Sequence, residues 1–150
     1  WARVADVALP AGVAGLEFSG MTDAPGGRFA TAEDRSGLIR LDDGTEHALG
    51  WGGFVKEGAE VGGLAFSGVA YAEGRFYVLS ETYTCVVVVD AVTFAVEAVF
   101  GLEPSAAADL SVDGGLAYVV IDHNYDEPVP PVAVYDLAGA LAASDGSDGP

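Results

Sequence analysis

Asp122, Asn124 and Asp126 place a side-chain oxygen at every second residue, and Glu127 follows directly. That alternation lets a loop wrap oxygen ligands around a hard cation, and calcium is the cofactor it would suit. A full calcium loop of the helix–loop–helix type needs Gly where this chain has Glu127, and no bidentate Glu closes the segment. The same residues also read as a solvated acidic loop stiffened by Pro128, Pro130 and Pro131. Asp34 and Glu81 join Asp122 as candidate ligands, because each ends a strand-like stretch. Equivalent strand ends brought to one face would concentrate charge that a cation relieves. Capping of turns by carboxylates is the plainer role for these three.

Nucleophilic chemistry has little to build on. Ser19 and Ser67 precede Gly but lie outside a Gly-x-Ser-x-Gly elbow, and their recurrence in two similar segments suits a structural role. His47 and His123 sit beside no Ser or Cys at a recognised spacing. Cys85 opens an apolar run, as a small buried side chain does. Its being the only cysteine excludes an intrachain disulfide and argues against a cysteine-based zinc site. Gly12 to Gly20 carry spaced glycines but no lysine, so no phosphate cradle is expected. Trp1, Trp51 and Tyr125 can either pack or offer a ligand surface.

The charge balance excludes more than it identifies. Twenty-three acidic residues against six basic ones give a formal net charge of −17 in 150 residues, so the surface repels nucleic acid. Hydrophobic residues make up 51% of the chain, enough to build a core rather than remain disordered. No apolar run approaches the ~20 residues that span a bilayer, and no membrane insertion is expected. An acidic, lysine-poor composition suits an extracytoplasmic, calcium-rich setting or a salt-rich one, where screening relieves self-repulsion. The sequence starts at Trp1 without a basic-then-apolar leader, which leads us to expect processing or truncation.

Gly and Pro punctuate the chain between short β-branched and aromatic stretches, which reads as all-β. Strands are expected within Arg75–Ser80, Cys85–Asp90, Phe94–Phe100, Leu116–Asp122 and Val132–Asp136, whereas Leu137–Ala143 has only marginal helical character. An internal repeat decides how these stretches group. Gly15–Phe29 (GLEFSGMTDAPGGRF) recurs as Gly63–Phe76 (GLAFSGVAYAEGRF), with one residue deleted at the turn, and Ala106–Asp122 is a weaker third copy. A period of about 40–48 residues with four short strands per unit is that of β-propeller blades. The expectation is a half-propeller of about three blades, four-stranded antiparallel units near residues 15–51, 63–100 and 106–136. The third lacks an outer strand, which Ala2–Leu9 could supply, and Ser144–Pro150 reads as a flexible tail.

At these residues the sequence resembles a known family. Phe18-Ser-Gly-Met21, Arg28 to Asp34 and Leu38 to Asp42, with their second copies Phe66-Ser-Gly-Val69, Arg75 to Glu81 and Val86 to Asp90, are similar to blades of six-bladed propellers of the SdiA-regulated and esterase-like-phytase kind. The resemblance implies an extracytoplasmic propeller and, in some members, calcium binding or phosphate-ester hydrolysis. Three units here stand against six in a closed ring of that family.

Two functions follow as expectations. The first is a non-enzymatic binding or assembly module that pairs with another copy or with the rest of a longer chain; the second is a calcium-dependent phosphoesterase-like hydrolase. The first rests on geometry: an incomplete ring leaves two open faces, with Leu64, Phe66, Tyr118 and Val120 among the apolar side chains on them.

Overall fold

A computed structural model of the chain describes residues 2–3, 5–6, 8–49, 55–56, 59–60, 66–102, 107–121 and 132–146. Strands β1 (Phe18–Ala24), β2 (Gly27–Ala32), β3 (Gly37–Arg40) and β4 (Glu46–Ala48) form the first antiparallel sheet, in that spatial order. A two-residue hairpin, β5 (Val55–Lys56) with β6 (Ala59–Glu60), follows it. The second sheet is β7 (Phe66–Ala72), β8 (Arg75–Ser80), β9 (Cys85–Asp90) and β10 (Val96–Gly101), and the third is β11 (Ala107–Asp113), β12 (Leu116–Ile121) and β13 (Val132–Asp136). Each is a meander of propeller-blade type. Helix α1 (Leu137–Gly146) closes the described chain.

The leading strands β1, β7 and β11 pack side by side in sequence, so the blades stack in chain order. Each of these strands carries a register shift at the same place: between Phe18 and Gly20, Phe66 and Gly68, and Ala107 and Asp109. This shared bulge aligns the weak third copy with the other two where sequence similarity is thin. It also shows why Gly follows Ser in the repeat. A Cβ on Gly20 would lie 2.8 Å from Gly68 Cα, and one on Gly68 would lie 2.7 Å from Asp109 Oδ1. At Gly20 it is the backbone of β7 that leaves no room for a side chain, and at Gly68 it is the carboxylate of Asp109.

Counted from the bulge, the blades do not superpose as the Gly-Arg-Phe motifs suggest. Ala24 pairs with Gly27 in blade one, whereas Ala72 pairs with Arg75 in blade two. Phe29 is therefore the counterpart of Tyr77 and Tyr118, and Phe76 that of Arg28 and Ala117. The turns explain the offset. Glu73-Gly74 and Gly114-Gly115 cross the hairpin tip, with φ of 50° and 83°, and 58° and 79°. Both residues of such a mirror-image turn need positive φ, which Pro25 cannot adopt. Glu73 is strained in that position, so Glu73→Asn is expected to raise stability by about 0.5–1 kcal/mol in urea denaturation. An unchanged midpoint would show the strain to be relieved elsewhere.

The one-residue offset turns the two motif phenylalanines toward each other. Call the side of a blade that looks along the chain toward the next blade its front. Phe29 and Leu38 on the front of blade one meet Phe76, Val78, Val87 and Val89 on the back of blade two in one buried cluster. Tyr77, Leu79, Val86 and Val88 on the front of blade two meet Leu110, Ala117 and Val119 of blade three in another.

Blade three ends in a helix where the other blades have a fourth strand. Asp136 Oδ1 accepts the N–H of Gly139 at 2.8 Å, an N-cap bond, and the N–H of Ala138 donates to Gly115 O at 3.0 Å. Leu137 is buried in the cluster between blades two and three, and Leu141, one turn on, packs against it. Capping and packing thus stabilise a helix that propensity leaves marginal. It runs to Gly146, so Ser144–Gly146, expected in a tail, belong to it, while 147–150 lie outside the described residues.

Candidate functional site

Positions 29, 77 and 118 are structural equivalents on three successive blade fronts, as are 31, 79 and 120. In blades one and two these residues are sealed by the next blade: Phe29 is 3% exposed, Tyr77 5%, and Thr31 and Leu79 0%. On blade three nothing among the described residues covers them, and Tyr118 is 37% and Val120 48% exposed. The paired strand adds Val134 opposite Tyr118 and Val132 opposite Val120, at 55% and 46% exposure. The result is a contiguous apolar sheet face, a kind of surface that marks an interaction site. Asp113 and Asp136, both exposed, stand in register beside Leu116 on the same side.

The other expected open face is covered only in part. Phe66 is fully buried against blade one, since its strand lies at an interior seam, and Leu64 lies outside the described residues. Part of the back of blade one is covered by the chain that precedes it, while Phe18 and Met21, the counterparts of the buried Phe66 and Val69, are 37% and 59% exposed on the same face. Val13 buries Ala32 and Ile39, with Leu9, Leu16 and Leu41 around them. A turn on Pro10 O, which accepts the N–H groups of Val13 and Ala14 at 3.0 and 3.1 Å, shapes this segment. The described residues of 2–9 contain no strand, and Leu9 packs at the back of blade one.

Ser19 and Thr31 join blades one and two through hydrogen bonds. Ser19 Oγ donates to Phe66 O at 2.5 Å and lies 3.1 Å from Thr31 Oγ1. Next to them, Thr22 Oγ1 accepts the N–H of Tyr71 at 3.1 Å. Ser67 Oγ turns inward to Leu79 O at 3.4 Å. His47 stacks on Phe94 with centroids 3.8 Å apart, at the edge of an aromatic group that includes Phe29 and Phe76. An apolar depression of about 390 Å³ opens beside it between the hairpin tips, with Pro25, Tyr71 and Val92 on its walls.

Asp34 and Glu81 lie in the turns after β2 and β8, both exposed and at the same end of their blades. Asp122, Asn124, Asp126 and Glu127 lie outside the described residues. Among the described residues no group of three or more His, Cys, Asp or Glu is placed to hold a metal ion.

The opposite end of the blades carries an ion-pair network that sequence reasoning did not assign. Arg28 Nε donates to Asp23 Oδ1 at 2.7 Å, and Arg75 Nε to Glu97 Oε2 at 2.6 Å, each raising the arginine pKa. Burial pushes the Tyr77 hydroxyl pKa up. Asp90 Oδ1 accepts the N–H groups of Thr93 and Val92 at 2.8 Å, which hold its carboxyl below the usual range. A lowered folded-state pKa contributes stability above the unfolded value that is lost as pH falls through the folded one. Asp90→Ala is therefore expected to melt below the parent chain near pH 7, with the gap closing as the pH falls below the ordinary aspartate pKa of about 3.9. A gap that is constant with pH would assign the effect to turn geometry alone.

No family model matches the sequence, and no curated protein matches it. Solved structures do. The chain is similar to the hydrazine synthase of Kuenenia stuttgartiensis, 14% identical with a TM-score of 0.58 over 91% of this chain and 36% of that one. U3-55K matches at 14% identity and a TM-score of 0.56, over 83% and 37%. The PQQ-bound aldose sugar dehydrogenase of Streptomyces coelicolor matches at 16% and 0.51, over 79% and 43%. The chain spans less than half the length of each, and the likeness is one of fold: an all-β stack of propeller-like blades.

Proposed function

We propose that the chain is a non-enzymatic assembly module whose binding surface is the front of blade three and whose partner is a second copy of itself. The observation that supports this most is the equivalence of Tyr118 and Val120 to side chains that blades one and two bury against a neighbouring sheet. Covering a face of this kind gains about 25 cal/mol per Å² of apolar surface, before the cost of association is subtracted. The net charge of −17 opposes the meeting of two copies, so screening should favour it, in keeping with a salt-rich or extracytoplasmic setting.

Light scattering tests the proposal. At high salt the mass is expected to reach twice the 15.2 kDa of one chain and to fall toward one chain at low salt. Tyr118→Glu, which puts a charge in the centre of the face, is expected to stay monomeric at both salt levels while keeping its β circular-dichroism spectrum. A parent chain of single-chain mass under both conditions, or a Tyr118→Glu variant as dimeric as the parent, would refute the reading.

A further inference from the structure

We infer that two copies join head to tail, the front of blade three in each seated on the bare leading strand at the back of blade one in the other. The inference rests on the proposed self-association and names its second surface. Residues 9–16 pack on Ala32 and Ile39, in β2 and β3. On β1 of the same face Phe18 and Met21 stay 37% and 59% exposed, although their counterparts in blade two, Phe66 and Val69, are only 0% and 4% exposed. Apolar side chains grouped in this way on one exposed strand mark a contact.

The chain already contains that contact twice. At each internal seam the second strand of a blade packs on the leading strand of the next: β2 touches β7, and β8 touches β11. Phe29 shares a buried cluster with Phe66 and Val69, and Tyr77 and Leu79 share another with Ala107 and Leu110. Ser19 Oγ, which donates to Phe66 O, lies 3.1 Å from Thr31 Oγ1. A Cβ on Gly20 would lie 3.2 Å from Thr31 Oγ1 and 3.1 Å from Val69 N. Position 31 thus faces positions 66 and 69 across the first seam. Its equivalent in blade three is Val120, and the equivalents of 66 and 69 in blade one are Phe18 and Met21. Each copy therefore carries both halves of one further seam, at opposite ends of its stack.

In a pair of copies both of these seams close at once about a two-fold axis. Tyr118 and Val120 lie against Phe18 and Met21 of the other copy. Val132 and Val134 lie over residues 9–16, whose outward side chains at Ala11 and Ala14 are small and exposed. Front-to-front pairing would leave Phe18 and Met21 in water. The seam between copies is looser than the first seam within the chain. Asp109, which is exposed, holds the position of Gly20 and Gly68, so a leading strand cannot approach it as closely as β7 approaches Gly20. Its carboxylate adds to the repulsion that salt must screen.

A short bis-maleimide reads the contact directly. Val120→Cys marks the front and Met21→Cys the back; both positions are exposed, and Cys85 is buried, so the parent chain gives the background. The two variants, mixed at low salt and brought to high salt, are expected to give a product joining position 120 of one copy to position 21 of the other. Neither variant alone is expected to give a product. Met21→Glu is expected to lose the dimeric mass at high salt, as Tyr118→Glu does, while keeping its β circular-dichroism spectrum. A product from either Cys variant alone would show like faces in contact and overturn the inference while leaving self-association intact. A dimeric parent with no product in the mixture, or a Met21→Glu variant as dimeric as the parent, would also overturn the inference alone. Single-chain mass for the parent at high salt would overturn the proposed function with it.

Discussion

Phe76→Ala is expected to cost about 3–5 kcal/mol, the range for emptying a fully buried aromatic site. Phe76 is 0% exposed, with Phe29 at 4.8 Å, Tyr71 at 5.6 Å and Phe94 at 6.0 Å between ring centroids. Truncation removes these ring contacts together with one of the bulky side chains that blade two sends into the seam with blade one. Against a total stability of about 5–15 kcal/mol for a domain of this size, the loss would leave a sizeable unfolded fraction at physiological temperature. Urea denaturation followed by circular dichroism gives the value directly. Phe76→Leu, which retains most of the volume, is expected to lose well under half as much. A Phe76→Ala cost below about 1 kcal/mol would mean that the seam collapses around the cavity and contributes little to holding the blades together.

The second large effect is expected at Gly20. An added Cβ there would sit 2.8 Å from Gly68 Cα, 3.1 Å from Val69 N and 3.2 Å from Thr31 Oγ1. Two of these are main-chain atoms of the neighbouring blade, so relief requires the blades to move apart. Overpacking of this kind costs about 1–3 kcal/mol, and here it would also lengthen the bond from Ser19 to Phe66 O. Gly101→Ala is the control, because nothing lies within 4 Å of an added Cβ in that strand. Chemical denaturation of both variants should show Gly20→Ala clearly destabilised and Gly101→Ala within about 0.5 kcal/mol of the parent chain. Equal effects would mean that the close approach of β1 to β7 places no demand on residue type.

How much of this was legible in the sequence depends on which residues carried it. The duplicated Gly-Leu-x-Phe-Ser-Gly exposed the blades because its Ser and Gly answer to backbone geometry, a bulge and a close approach, which few residue types satisfy. The Arg-Phe half of the motif misled in detail. Identical letters at 28–29 and 75–76 occupy positions one residue apart, since Pro25 forces a different hairpin tip from Glu73-Gly74. The segment that packs on Ala32 and Ile39 left no signal at all, because a turn anchored by Pro10 and Val13 has neither helical nor strand periodicity. Of the exposed face, Tyr118 and Val120 were foreseen, while Val132 and Val134 looked like any buried strand: alternation shows which residues share a side but not whether anything covers it.

The segment packed on Ala32 and Ile39 also bears on how such a chain folds during its own synthesis. The segment packed on part of the back of blade one immediately precedes it, and among the described residues each later blade packs on the one before it. Contacts at each of these seams are made between neighbours in the chain, so forming them costs little loop-closure entropy. As the polypeptide emerges at the usual ~5–20 residues per second, each finished sheet becomes the template on which the next one condenses. At each stage the newest front is an apolar surface waiting for the sheet that follows it.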